Sequence, residues 1–183
     1  MRVVGGVAGG RRLRAPAGRS IRPTGDRVRE AVFNVLASLE AVEGATVVDL
    51  FAGTGALGIE ALSRGAAHVT FVDRDPAAAA AIRDNLAAVG LAEAPSEVVR
   101  ADALKWLDRG DQAFDLALCD PPYDFRAWER LLDGLSAGLA VLESSLPLEV
   151  PPGWVVRTTK RYGGSVVTLV QPLPDQVARK GAS

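Results

Sequence analysis

The sequence predicts an α/β protein: a doubly wound sheet of parallel strands with helices on both faces, preceded by a basic N-terminal extension. Three observations lead there. From Thr46 onward, short apolar runs alternate with glycine turns and helical stretches. The first of those turns, Gly53-Thr54-Gly55-Ala56-Leu57-Gly58, leaves a strand and opens a helix. Near its end the chain has two β-rich runs around Tyr162-Gly163-Gly164, the pattern of an antiparallel hairpin at a sheet edge.

The elements follow in order. Residues 1–23 are rich in glycine and arginine, include Pro16 and Pro23, and read as an extended or hairpin-like arm with tight turns at Gly5-Gly6 and Gly9-Gly10. Residues 24–183 form the second unit. A helix over 24–39 is capped by Thr24 or Asp26 and shows an apolar stripe from Val28 to Leu39. Strands are expected at Thr46–Phe51, His68–Val72, Glu97–Arg100, Phe114–Cys119 and Leu139–Leu142. The helices between them are Ala56–Ser63, Pro76–Val89, Ala103–Leu107 and Arg126–Leu135. Trp154–Thr159 and Val166–Val170 make the closing hairpin. No internal repeat interrupts this order.

Composition narrows the function. The 183 residues are 48% hydrophobic and 23% charged, enough for one domain with a core built mainly from Val, Leu and Ala. No apolar run approaches the ~20 residues that span a bilayer, and the first residues lack a signal-peptide pattern. A single cysteine, Cys119, excludes an internal disulfide and argues against a cysteine zinc site. With a single histidine, His68, a His-centred metal site or triad is not expected either. A metal-free cytoplasmic protein is the expectation. Net charge is −1, but unevenly spread: the first 40 residues carry eight arginines against three acids, a net +5. A local basic footprint on an acidic body suits a nucleic-acid partner.

The glycine loop is the most informative segment. Gly53, Gly55 and Gly58 satisfy G-x-G-x-x-G and Asp73 lies 20 residues beyond Gly53, a spacing that serves NAD and S-adenosylmethionine alike. Asp49 tips the balance. A carboxylate ending the first strand beside the loop repels a pyrophosphate and attracts an ammonium or sulfonium group. Asp73, ending strand two, can accept from ribose hydroxyls, and Asp102, after strand three, from an adenine amine. Phe51, Thr54, Arg74 and Ala103 flank these positions and are expected in the same cofactor pocket, as is Asp120.

After strand four comes Asp120-Pro121-Pro122-Tyr123. An exocyclic base amine is a poor nucleophile because its lone pair is delocalised into the ring. The Asp120 carboxylate and the Pro121 carbonyl can grip its two hydrogens and favour a pyramidal nitrogen. Two prolines fix φ and so aim that carbonyl in advance. Tyr123 can stack on a flipped base. An NAD-dependent oxidoreductase would not need this loop, and an RNA-binding module without catalysis would need neither it nor Asp49 and Asp73.

Asp-Pro-Pro-Tyr after the fourth strand and Asp49-Leu50-Phe51-Ala52-Gly53-Thr54-Gly55 after the first resemble the amino-methyltransferases of the class I S-adenosylmethionine fold. Met1-Arg2-Val3-Val4-Gly5-Gly6, Gly10-Arg11-Arg12-Leu13, Arg22-Pro23-Thr24, Asp26-Arg27-Val28-Arg29-Glu30, Leu57–Ala66 and Lys160-Arg161-Tyr162-Gly163 resemble the RsmD family nearly end to end. Those enzymes methylate the N2 amine of one guanine in bacterial small-subunit (16S) ribosomal RNA. The resemblance implies a seven-stranded Rossmann-like methyltransferase sheet and S-adenosylmethionine as cofactor. It also implies 16S rRNA as partner, with naked RNA and a small-subunit assembly particle both open as its form; a monomer is expected. Guanine specificity rests on the resemblance alone, because Asp120 does not distinguish guanine from adenine. RNA contacts are expected from Arg2, Arg11, Arg12, Arg14, Arg22, Arg27, Arg29, Lys160 and Arg161, with the arm docking RNA while being dispensable for the fold. Residues 172–183 find no place on the pattern. His68, Cys119, Trp106, Trp128 and Trp154 are expected to pack rather than act.

Overall fold

A computed structural model of the chain describes residues 1–14, 25–110 and 112–174. Helix α1 (Gly25–Ser38) precedes an alternation of β1 (Thr46–Leu50), α2 (Ala56–Ser63), β2 (His68–Asp73), α3 (Pro76–Ala88), β3 (Ser96–Arg100), α4 (Ala103–Leu107), β4 (Phe114–Cys119), α5 (Trp128–Gly134) and β5 (Ala137–Ser144). β6 (Trp154–Tyr162) and β7 (Ser165–Pro172) close the chain. The seven strands order as β3-β2-β1-β4-β5-β7-β6, the first five parallel and β7 antiparallel to both neighbours.

Both faces of the sheet are covered at β1, so after Thr46 it reads as an apolar run with one acid, Asp49. Val47 packs with Phe33, Ile59 and Ile82 from α1, α2 and α3; Val48, on the opposite side of the pleat, packs with Trp106 and Leu131 from α4 and α5. A Cβ at Gly58 would lie 2.3 Å from Phe71 Cε1, so the third glycine of the loop lets α2 settle on β2. At the opposite end of the sheet, Thr46 donates to Asp115 from its amide (2.8 Å) and its hydroxyl (2.7 Å), holding that carboxyl below its usual range.

The closing hairpin is antiparallel and lies at one edge of the sheet, as expected. Within it β7 is the inner strand, and its residues Ser165–Val170 are buried between β5 and β6. β6 is the edge strand at this end of the sheet, and exposed Arg157, Lys160 and Arg161 together with an irregularity between Val156 and Thr158 oppose strand addition there.

The N-terminal arm is more integral than expected. Residues 1–14 fold back through an antiparallel bridge between Arg2 and Arg12, with Val3 N donating to Arg11 O and Leu13 N to Met1 O. Val3, Ala8 and Leu13 are buried in the same core as Phe33 and Ile59. Backbone amides of Val4 and Gly5 donate to the two carboxylate oxygens of Glu60 (2.6 and 2.8 Å), and Ala8 N donates to Ser63 Oγ (2.9 Å). Gly6, with φ +74°, lies so close to Ser63 that a Cβ would sit 1.8 Å from its carbonyl oxygen. Asn85, wholly buried, accepts from Arg14 N and donates to Arg14 O and Thr54 O. This hairpin is therefore part of the packed fold, contrary to the expectation that the arm is dispensable. Its continuation over residues 15–23, with Arg22, lies outside the described residues.

Candidate active site

The sheet order reverses between β1 and β4, and ligands of open α/β sheets bind outside the strand C-termini at that switch point. A cleft of about 1230 Å³ opens there. Of the expected pocket residues, Asp49, Phe51, Gly53, Thr54, Asp73, Arg74, Asp102, Ala103 and Asp120–Tyr123 all border it.

Gly55 does not. It sits beneath the loop as N-cap of α2 with φ +78°, its Cα packed so closely that a Cβ would meet Ile82 at 3.1 Å. It turns the chain into α2. Phe51 shares the left-handed conformation (φ 61°), unfavourable for a side chain with a Cβ. An aromatic chain holds it there: Phe51 meets Phe125 edge-on at 5.2 Å and Phe125 meets Trp128 at 5.0 Å. That chain ties the glycine loop to the loop after β4. Trp128 is thus packing, as expected, as are Trp154, whose Nε1 donates to Leu132 O, and Trp106.

The carboxylates do different jobs. Buried Asp49 accepts from Gly58 N at 2.9 Å and so anchors the loop to α2. Burial pushes its carboxyl well above the usual range; the Gly58 bond opposes this, and the nearby charges of Asp120 and Asp73 add to it. Asp73 accepts from Gly53 N (2.8 Å) and Asp75 N (2.9 Å), one bond per oxygen, leaving each oxygen lone-pair capacity for a ligand hydroxyl. Asp102 caps α4 by accepting from Lys105 N at 3.2 Å while bordering the cleft. Asp120 leaves β4 exposed at the cleft. The turn behind it is closed by Phe125 N donating to Pro122 O (2.9 Å) and by the Arg126 guanidinium donating to the carbonyls of Tyr123 and Phe125. Tyr123 stands 52% exposed at the rim. Cys119, just before Asp120, is buried, and burial pushes its thiol up, which leaves it inert.

Asp49 lends itself to a test of sign. Its folded carboxyl titrates above the ordinary 3.8, so its contribution to stability is fully present below that value and is lost as pH rises through the folded pKa. Asp49→Asn cannot ionise and should melt no lower than the parent at neutral pH. The same variant loses the anion for a ligand ammonium, so S-adenosylhomocysteine should bind roughly 10- to 100-fold more weakly, the loss of one charge-assisted contact of about 1.5–3 kcal/mol. Melting curves and calorimetry read both, and unchanged affinity would confine Asp49 to the loop.

Among the expected RNA contacts, Arg29 is misplaced. It is only 4% exposed, lies at helical spacing from Val32 and Phe33, and donates to Arg2 O and to Asp26 (2.8 Å), with Glu60 3.7 Å from its Nε. Its charge is used inside the protein, not on an RNA surface. Arg2, Arg12, Arg14, Arg27, Lys160 and Arg161 are exposed; Arg11, also exposed, donates to Val89 O. Sequence reasoning missed Phe125, Arg126 and Glu143 at the cleft. Phe125 falls between the Asp-Pro-Pro-Tyr run and the expected helix, Arg126 is that helix's expected first residue, and Glu143 lies one residue past the expected end of strand five. Among the described residues, no group of three His, Cys, Asp or Glu side chains is placed to hold a metal, and no helix is long and apolar enough to cross a membrane.

Sheet order, glycine loop and Asp-Pro-Pro-Tyr loop together define a methyltransferase of the class I fold. A family model described as conserved hypothetical protein 95 matches residues 1–171. The chain is 38% identical over 182 residues to the putative rRNA methyltransferase YlbH of Bacillus subtilis, covering 92% of this chain and 97% of that one. It is 35% identical over 182 residues to ribosomal RNA small subunit methyltransferase D of Escherichia coli K12, covering 93% and 89%. The solved structure of the putative methyltransferase yhhF from Escherichia coli superposes with a TM-score of 0.82 at 34% identity, over 94% of this chain and 97% of that one. The chain belongs to the conserved hypothetical protein 95 family, the RsmD family of ribosomal RNA methyltransferases.

Proposed function

We propose that this protein transfers a methyl group from S-adenosylmethionine to the N2 amine of one guanine in 16S ribosomal RNA. It does so in the cytoplasm, as a monomer without a metal, on a small-subunit assembly particle. The observation that carries this reading is the placement of Asp120-Pro121-Pro122-Tyr123 across one cleft from the glycine loop. The residues suit the cofactor: a turn closed by Gly53 and Gly55 at positive φ, beside three carboxylates suited to an ammonium, two ribose hydroxyls and an adenine amine. When bound, the cofactor supplies an electrophilic methyl group on a sulfonium.

The chain's own residues do the rest. Asp49 receives the ammonium, Asp73 the ribose hydroxyls and Asp102 the adenine amine. Asp120 and the Pro121 carbonyl accept the two hydrogens of the base amine, turning the nitrogen lone pair out of conjugation. Buried Pro121 sets that carbonyl before the substrate arrives. Tyr123 stacks on the flipped base, a contact worth ~1–3 kcal/mol. Arg2, Arg11, Arg12, Arg14, Arg22, Arg27, Lys160 and Arg161 meet phosphates and set the protein's position without reading sequence.

Two measurements test the reading together. Calorimetry should show binding of S-adenosylhomocysteine and none of NAD. Labelled S-adenosylmethionine should mark a single guanine in small subunits from a strain lacking the enzyme. Tight NAD binding, or a label mapping to another base, overturns it.

A further inference from the structure

Asp120 grips an amine, and both guanine and adenine offer one. The residue beside it tells them apart. Cys119 and Leu142 are register partners in the parallel β4–β5 pair, so Asp120 and Glu143 are the next pair, on strands about 4.8 Å apart. Glu143 borders the large cleft and also a second cavity of about 180 Å³ that shares Asp120–Tyr123 with it. It therefore stands where the two cavities meet, next to the amine-gripping group. The side chain is half-buried and, among the described residues, has no hydrogen bond or ion pair of its own.

We propose that Glu143 is the guanine-selecting residue, accepting the base's N1–H while Asp120 and the Pro121 carbonyl hold the N2 amine. This rests on the reading of the cleft as a guanine-N2 methyltransferase site. On guanine, N1–H and the N2 amine are adjacent donors on one edge, matched by two neighbouring acceptors. Adenine, turned over, can bring its N6 amine to the same Asp120. Its N1 then points a lone pair at the Glu143 carboxylate, and neither group has a proton to share. A site built around a hydrogen bond rejects the base that lacks it, because the acceptor that the base covers is left unpaired.

Glutamine at 143 keeps an acceptor and adds a donor, so it suits either base; leucine offers neither. The test uses the full chain, tritiated S-adenosylmethionine, and small subunits carrying guanine or adenine at the mapped target. For Glu143→Gln the guanine-to-adenine ratio of kcat/KM should fall roughly 10- to 100-fold, the worth of one good base-edge contact. For Glu143→Leu the guanine rate should fall by a similar factor with no gain on adenine. Affinity for S-adenosylhomocysteine should stay within about twofold in both. A Glu143→Gln enzyme that keeps the parent's rate and preference overturns the assignment while leaving the methyltransferase reading intact. A parallel loss of cofactor affinity also overturns it, by making Glu143 part of the cofactor site. A parent that labels neither base overturns the reading and the assignment with it.

Discussion

Asp120→Ala is expected to lower the single-turnover rate of methyl transfer by about 10²–10³, the usual worth of one positioned electrostatic group. Affinity for S-adenosylhomocysteine should change by less than about threefold. The asymmetry follows from placement. Asp120 leaves β4 exposed beside Tyr123, whereas of the acids assigned to the cofactor Asp49 lies near the end of β1, Asp73 ends β2 and Asp102 follows β3. Removing its charge should also ease the burial of Asp49, whose carboxyl the Asp120 charge pushes up, so the variant's affinity cannot fall through that route. A variant with near-parental turnover would reduce Asp120 to a turn residue. One that loses cofactor affinity first would move it to the other half of the cleft.

What the sequence revealed follows from where punctuation is strong. α2, α4 and β4 lie at their expected bounds because glycine, Asp102 and the Asp-Pro pair mark their ends unambiguously. β5 was underestimated at both ends. The expected strand stops at Leu142, yet the antiparallel partner β7, pairing with Ala140–Ser144, carries it two residues further. Pairing across the sheet overrode local propensity, and the residue it hid was Glu143. α5 begins two residues later than expected because Arg126 turns back to bond the carbonyls of Tyr123 and Phe125. Arg29 and Glu60 were the hardest to read. Charges on an apolar helix face look like RNA contacts or solvated positions until a second segment supplies their partners. Here that segment is the backbone of the N-terminal hairpin, whose hydrogen bonds leave no periodic trace in the sequence.

Glu60→Ala should accordingly destabilise the fold by about 3–5 kcal/mol, the range for breaking a buried ion pair from one side. Glu60 has no exposure and accepts from Val4 N, Gly5 N and Arg64 Nε (2.7 Å), with Arg29 beside it. Alanine leaves two backbone amides without acceptors and Arg29 buried with only Asp26 as its anion. At roughly 2–4 °C per kcal/mol for a chain of this size, melting should fall by about 6–20 °C. The contrasting variant replaces exposed Arg2, Arg12 and Arg14 with serine. These side chains face solvent, so melting should hold within about 2 °C, the effect of surface substitutions. RNA affinity should drop, and the slope of log affinity on log salt should flatten by about 2, at roughly 0.7 per lost phosphate contact. The pair of variants separates the hairpin's two roles. If Glu60→Ala melts with the parent, the hairpin does not hold the fold. If the triple-serine protein keeps the parent's salt slope, RNA docks elsewhere, and the exposed Lys160 and Arg161 of β6 become the surface to mutate next.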